Sequence, residues 1–488
     1  MKKKESEFLS WLLAQGCSLE GVKISRFEDS TGRGVQATRQ IQAGEVLVKI
    51  PESLVITPDK STASDALKRF GLGPSEFESP RLEKEALVLA VLAELAADTS
   101  SKWNPYLSAL PPQPQLNCPA VWSQVELRTL CGCTALQNRM LSPTDDTEEL
   151  PNMTDEHWLH IAVPFLEANP GLGFGTTSKG RSLYNYATAL VAGYSFSLGR
   201  GGIQAMVPFW DFFNHAAPGE EGVRLAHESK SKTLQMIAIR DHDAGEQVFN
   251  SYGALGNQEL LRRYGFVLQP NHLDSAFLHL HPDRLAPAAL SHGARSAGVE
   301  PHTRHALRLL KQAGVLPDSG MSVAVPVQGT PPADLLEALR LLTADAEHVA
   351  GLGRALLASS PRRQYRPARL LRRLCRSSAR HGDRVAAALA ELADEALERQ
   401  RQALEAARSA TGVSTTRAEL AAVAISGECR CLEALRDFAR DKAAVQGALR
   451  TSATQVWGPL LRRRARQLRN FRFSPYHRYA HSVVISNT

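Results

Sequence analysis

The chain has 488 residues, 43% of them hydrophobic, with 57 Lys and Arg against 50 Asp and Glu and a formal net charge of +7. That length holds two or three domains, and that composition is globular, which excludes a disordered chain. No apolar run is long enough to span a bilayer, and seven cysteines in so long a chain exclude a disulfide framework.

The opening MKKKESEFLSWLLAQG is basic and then briefly apolar, but Glu5 and Glu7 interrupt it and no cleavage pattern follows. It reads as an N-terminal helical segment, residues 1–21, and not as a leader peptide. Over 22–57 apolar residues alternate, as at Val46, Val48 and Ile50, and Gly32, Gly34 and Gly44 mark turns, which predicts short half-buried strands. Over 80–97 the period changes: Leu82, Ala86, Leu89, Leu92 and Ala96 fall on one helical stripe. Helix and loop continue to about residue 198, with Thr154 as an N-cap. Strands return from Ile203, and KTLQMIAIRDHDAGEQVFNSYG alternates again around a turn at Gly245. The order β, helical insert (80–198), β predicts one α+β domain over 22–285. The rest is rich in Ala, Leu and Arg. It predicts an all-α domain over 286–475, with a loop at 314–332, a long amphipathic helix at 384–410 and a tail at 476–488.

The Arg-rich runs at 361–380 and 460–473 are interleaved with Leu at helical spacing. They read first as solvated helix faces, then as surfaces for acidic proteins, and only third as nucleic-acid surfaces. Cys131/Cys133 and Cys429/Cys431 are spaced more closely than paired ligands of structural zinc, so they read as buried thiols in a reducing compartment.

Five stretches carry polar or flexible residues where chemistry could be done. GRGV, residues 32–35, lies between strands, so it is no dinucleotide or phosphate loop. Its glycines permit close approach of backbone to a ligand, or simply a hairpin turn. IQAGEVL and HDAGEQV are turns joining β segments. VPFWDFFNHA, residues 207–216, is apolar and aromatic until it ends on Asn214 and His215, with Asp211 inside it. Buried polar groups of that kind need partners. NSYGALGNQELLRRYGF, residues 250–266, sets Tyr252 and Tyr264 each before a glycine, where they could line an aromatic slot with hydroxyls at its mouth. Taken singly, each of these also fits ordinary core packing.

Together, G-x-G, D-x-x-N-H, G-E-x-x-x-x-S-Y-G and Y-G-F in this order resemble the SET-domain methyltransferases. More narrowly, the chain is similar to the subgroup typified by the Rubisco large-subunit lysine methyltransferase. GRGVQATRQIQAGEVLVKIPESLVIT is similar to that subgroup's opening, SKWNPYLSALP to its insert, and VPFWDFFNH with GEQVFNSYG to its closing core. The resemblance implies a SET β core with a pseudoknot and a helical insert, followed by a helical substrate-binding domain. It implies S-adenosylmethionine as cofactor, held by Arg33, Gly34, Asp211, Asn214 and His215. Tyr252 would be catalytic, Phe196, Trp210, Tyr264 and Phe266 would wall the substrate channel, and no metal is implied.

The implied activity is protein-lysine N-methylation of a non-histone protein, docked by the C-terminal helices of a monomer that binds neither membrane nor nucleic acid. With no transit signal at its start, the expected place is the cytoplasm or nucleus, and the resemblance to the Rubisco enzyme makes a plastid the alternative. Two residues depart from the pattern. Tyr194 stands where many relatives have an Arg that holds the cofactor carboxylate, and Arg200 is the nearest substitute in sequence. Trp210 also occurs in the subgroup's actin-histidine methyltransferase, which leaves protein-histidine N-methylation as an alternative, although Phe196 follows the lysine enzymes. A catalytically weak SET protein acting as a binding module is the third reading.

Overall fold

In the computed structural model the described residues are 2–28, 32–73, 80–130, 132–134, 136, 156–172, 175–198, 203–283, 285, 299–356 and 367–472. Cys131, Thr154 and Arg200 lie outside them, as do the side chains of both Arg-rich runs. The chain divides into two compact units. The first comprises Met1–Cys131, Leu136–Asn271 and Ala410–Ala424; the second comprises Gly132–Ala135, His272–Ser409 and Ile425–Thr488.

The first unit is α+β. Its strands are β1 (Ser18–Leu19), β2 (Val22–Arg26), β3 (Arg33–Ala37), β4 (Val46–Pro51), β5 (Ser195–Leu198), β6 (Ile203–Met206), β7 (Val223–Glu228), β8 (Thr233–Ala238) and β9 (Gln247–Val248). They form small antiparallel sheets in the orders β1-β4-β8-β7, β2-β3-β9 and β5-β6. Register follows the apolar alternation: Val48 pairs with Met236 and Ile50 with Leu234, and all four side chains are buried. Helix Lys2–Ala14 buries Phe8 and Leu12, and the Phe8 ring lies 5.5 Å from Phe212 and 5.9 Å from Tyr106.

Helix Pro80–Ala97 was expected to bury one stripe, but every residue from 86 to 93 is buried. The helix packs on helix Ser178–Tyr194 and runs through the core of this unit, so a one-sided pattern understates it. The helical insert also ends sooner than expected. At Ser195 the hydroxyl donates back to the Val191 carbonyl at 2.6 Å, the helix stops, and β5 begins, pairing Phe196 with Ala205.

The second unit is largely helical, with helices including Ala333–Thr343, Ala346–Leu356, Pro367–Arg408 and Lys442–Arg472. It is not wholly so. Within the expected loop, β11 (Met321–Pro326) pairs with β10 (Ser275–Leu280), setting buried Val325 opposite buried Ala276. The alternation of Met321, Val323 and Val325 with Ser322 and Ala324 is a strand signal of only three positions, too short to outweigh the flanking Gly and Pro. This strand pair lies in the second unit, in its segment His272–Ser409. A buried Glu337–Arg340 ion pair, joined by the Ser452 hydroxyl and the Trp457 indole, sits in the helical core. Among the described residues no helix is long and apolar enough to cross a membrane.

Candidate active site

The run 207–216 leaves β6 through Phe209, whose φ of 74° is unusual for a side chain of that size, and makes one tight turn over Trp210–Phe212. It then does what no other described segment of the first unit does: it pairs in parallel. His215 bridges Asn250, with Asn250 N–H donating to the Asn214 carbonyl and Ala216 N–H to the Asn250 carbonyl, both at 2.8 Å. The Asn214 side-chain amide donates to the Arg33 carbonyl at 3.0 Å and to Gln247 Oε1 at 3.1 Å. Three distant segments are thereby laced into one floor. Gly34 allows the lacing, because a Cβ there would sit 2.3 Å from Gln247 Oε1 and 2.7 Å from Asn214 Nδ2.

Over this floor stands an aromatic group. The His215 ring stacks on Tyr252 with centroids 5.1 Å apart, and its Nδ1 accepts the Tyr252 backbone N–H at 3.0 Å, which leaves the proton on Nε2. Burial lowers the basicity of His215, so the ring is neutral. The Tyr252 hydroxyl donates to the Phe213 carbonyl at 3.0 Å. Tyr264 lies 4.5 Å from Tyr252, and Phe266 6.3 Å from it. Between them Gly265 ends helix Asn257–Tyr264 in the left-handed region, at φ 75°, with its N–H on the Leu260 and Leu261 carbonyls. A Cβ at Gly265 would lie 2.6 Å from the backbone of both Asn117 and Cys118, so this glycine lets strip 116–118 press against the aromatic group. Burial pushes the phenols of Tyr252, Tyr194 and Tyr264 above their ordinary values, so all three stay neutral.

Asp211 is the carboxyl group of the site. Its Oδ2 accepts the Tyr106 hydroxyl at 2.5 Å, while its Oδ1 is buried with no partner among the described residues. Burial pushes its carboxyl up to about 8, against the opposing pull of the Tyr106 hydrogen bond and the Arg33 charge. The Arg33 guanidinium is itself tied to the Ala109 carbonyl at 2.8 Å and Glu5 at 3.3 Å, and lies 4.4 Å over the Phe212 ring.

One cavity of about 610 Å³ joins these groups. Of the residues singled out from sequence, Arg33, Asp211, Asn214, His215, Tyr252, Tyr264 and Phe266 line it. Three do not. Gly34 packs behind the lining, against Gln247 and Asn214. Trp210, 5% exposed, meets Phe196 edge-on at 5.8 Å, so the two rings fill each other's space and neither walls the cavity. Tyr194 is in the lining, and the cations beside it there are Arg33 and Arg263. Sequence reasoning missed Tyr106, the partner of Asp211, although it lies within the SKWNPYLSALP motif. It also missed Thr416 and Leu420, which line the cavity from beyond residue 409 and carry no local signal.

Residues 32–253 match the family model of the SET domain. The chain is similar to N-lysine methyltransferase SETD6 of Bos taurus, 30% identical over 275 residues covering 54% of this chain and 56% of that protein. It is also similar to SETD6 of Homo sapiens, at 30% over 258 residues, and to ribosomal lysine N-methyltransferase 4 of Saccharomyces cerevisiae, at 26% over 261 residues. These cover 50% and 49% of this chain and 50% of each relative. The chain thus spans about half the length of the curated relatives it matches. Among solved structures, the SET domain of LSMT bound to lysine and AdoHcy superimposes with a TM-score of 0.63 at 19% identity, covering 91% of this chain and 92% of that one. Rubisco LSMT bound to AdoMet does so at 0.61 and 20% identity, covering 93% of each. The fold is the α+β SET fold of those proteins.

Proposed function

From the SET domain that this chain carries, we propose that it is an S-adenosylmethionine-dependent protein-lysine N-methyltransferase acting on a non-histone protein, with the helical second unit offering a docking surface for that substrate. One observation carries this. The Tyr252 phenol, the Asn214–His215 floor and Asp211 line the same cavity.

The residues present fit the cofactor. About 610 Å³ has room for a nucleoside joined to an amino acid. Asp211 lines the cavity and its Oδ1 has no donor among the described residues; the ammonium of the cofactor's amino-acid end would supply one, and its positive charge would draw the otherwise neutral carboxyl toward its ionised form. Asp211, Asn214, His215, Arg33 and Phe266 would hold it. Bound there, S-adenosylmethionine supplies a methyl group on a positively charged sulfur, transferable in line to an attacking amine. A free lysine, with a pKa of about 10.4, must first lose its proton. Burial among neutral phenols disfavours the ammonium form and lowers that barrier. The Tyr252 hydroxyl has its proton committed to the Phe213 carbonyl, so its oxygen lone pairs are left to accept an N–H and aim the amine.

The histidine reading leaned on Trp210, whose indole does not line the cavity, and no other observation favours it. Two measurements test the proposal in turn: calorimetric titration of the purified chain with S-adenosylmethionine, then labelled methyl transfer into a lysate with mass spectrometry of the modified residue. Saturable binding and label on lysine nitrogen are expected. No binding at millimolar cofactor, or label on another residue type, overturns it.

A further inference from the structure

Thr416 and Leu420 line the cavity from the stretch Ala410–Ala424, which belongs to the first unit. They are the first and fifth residues after Thr415, where helix Thr415–Arg440 begins, so they share one helix face. Arg417 between them is tied down. Its Nη1 donates to Glu126 Oε2 at 2.7 Å and its Nη2 to the Leu116 carbonyl at 3.1 Å, with the two side chains only 14% and 10% exposed. Glu126 is in turn fixed by a capping box with Ser123, whose N–H and hydroxyl donate to its Oε2 at 2.8 and 2.9 Å.

The strip 116–118, also part of the lining, is gripped from three sides. Arg417 holds the Leu116 carbonyl, the Trp122 indole donates to the Asn117 carbonyl at 2.8 Å, and the Gly265 backbone abuts Asn117 and Cys118. This part of the lining is chemically unlike the part near Asp211. Leu116, Phe266, Leu268 and Leu420 are apolar, and Asn117 and Thr416 are polar but uncharged. Apolar walls with a few uncharged hydrogen-bonding groups suit a flat heteroaromatic ring with a polar edge, and they suit neither a carboxylate nor an ammonium.

Taking the methyltransferase reading as given, we infer that Thr416 and Leu420 close the nucleoside end of the cofactor pocket, and that Arg417 is the positioning residue that sets this wall through Glu126 and the Leu116 carbonyl. The wall recognises the purine, not the substrate lysine, whose place is beside Tyr252 and Tyr264.

The test is calorimetric titration of the full chain with S-adenosylhomocysteine and with 5′-methylthioadenosine, which keeps the nucleoside and lacks the amino-acid end. Leu420→Ala removes a half-buried side chain and leaves the fold intact, as circular dichroism would verify. It is expected to weaken both ligands by about tenfold and by the same factor. Arg417→Ala should do likewise, and Arg417→Lys, which keeps the charge but not the two-pronged geometry, should recover part of the loss. Unchanged Kd values in a folded Leu420→Ala protein, or a change confined to the KM of the protein substrate, overturn the inference. A wild-type chain that binds neither ligand instead overturns the methyltransferase reading on which it rests.

Discussion

Asp211→Asn is expected to raise stability most at alkaline pH and least in acid. In an unfolded chain this carboxyl ionises at its ordinary value of 3.8; in the fold, burial moves it to about 8. Between those values the native state keeps a proton that the unfolded chain has released. Stability therefore falls as pH rises through that window, in full by the time the folded carboxyl ionises. The separation corresponds to a penalty on the order of 5 kcal/mol, and water reaching the cavity reduces it, so about 2–5 kcal/mol is the expected span. Asn cannot ionise, yet its carbonyl still accepts the Tyr106 hydroxyl. The measurement is urea unfolding of both proteins at about pH 4.5, 7 and 9. The difference, variant minus wild type, should grow from about 1 kcal/mol at the first, where the unfolded carboxyl has already largely ionised, to about 2–5 kcal/mol at the last. A difference that stays flat with pH would refute the claim that this carboxyl is buried and held neutral.

Tyr252→Phe keeps the ring stacked between His215 and Tyr264 but removes the oxygen that aims the amine. Transfer should slow by roughly 100-fold with cofactor Kd unchanged, as single-turnover kinetics and titration would read. Gly265→Ala and Gly44→Ala separate two costs of a side chain at positive φ. Gly44, at φ 93°, faces open space and should lose only about 1 kcal/mol, whereas Gly265 meets backbone at 2.6 Å and should lose about 3 kcal/mol or more by denaturant unfolding. Equal losses would mean strip 116–118 does not press on Gly265.

What sequence reasoning could reach here was whatever is written locally. Alternation at Val46, Val48 and Ile50 gave β4, and the Asn-His ending of an aromatic run marked the floor before its partners were known. The misses are all long-range. Tyr106 meets Asp211 across 105 residues, and Thr416 reaches the cavity from still further along the chain. Trp210 and Phe196 were placed in the channel by likeness to relatives. The edge-on packing of the two rings, which takes them out of the lining, depends on β5 turning back on β6. β11 was lost because two buried valines between turn residues do not outweigh a loop signal; only its partner, β10, makes it a strand.

The lacing of Asn214 to Arg33 and Gln247 bears on how the molecule is born. A ribosome releases residues 33–36 early, yet their carbonyl waits for an amide near residue 214, and that segment waits again for the one at 247–250. Such distant pairings close slowly compared with neighbouring ones. A nascent or truncated chain ending short of residue 247 would own most of the first unit's hydrophobic interior and no seat for a small molecule. The floor closes only when the segment at 247–250 has emerged, and the wall at 416–420 comes later still, so occupancy by a ligand would report that synthesis has passed the second of these points.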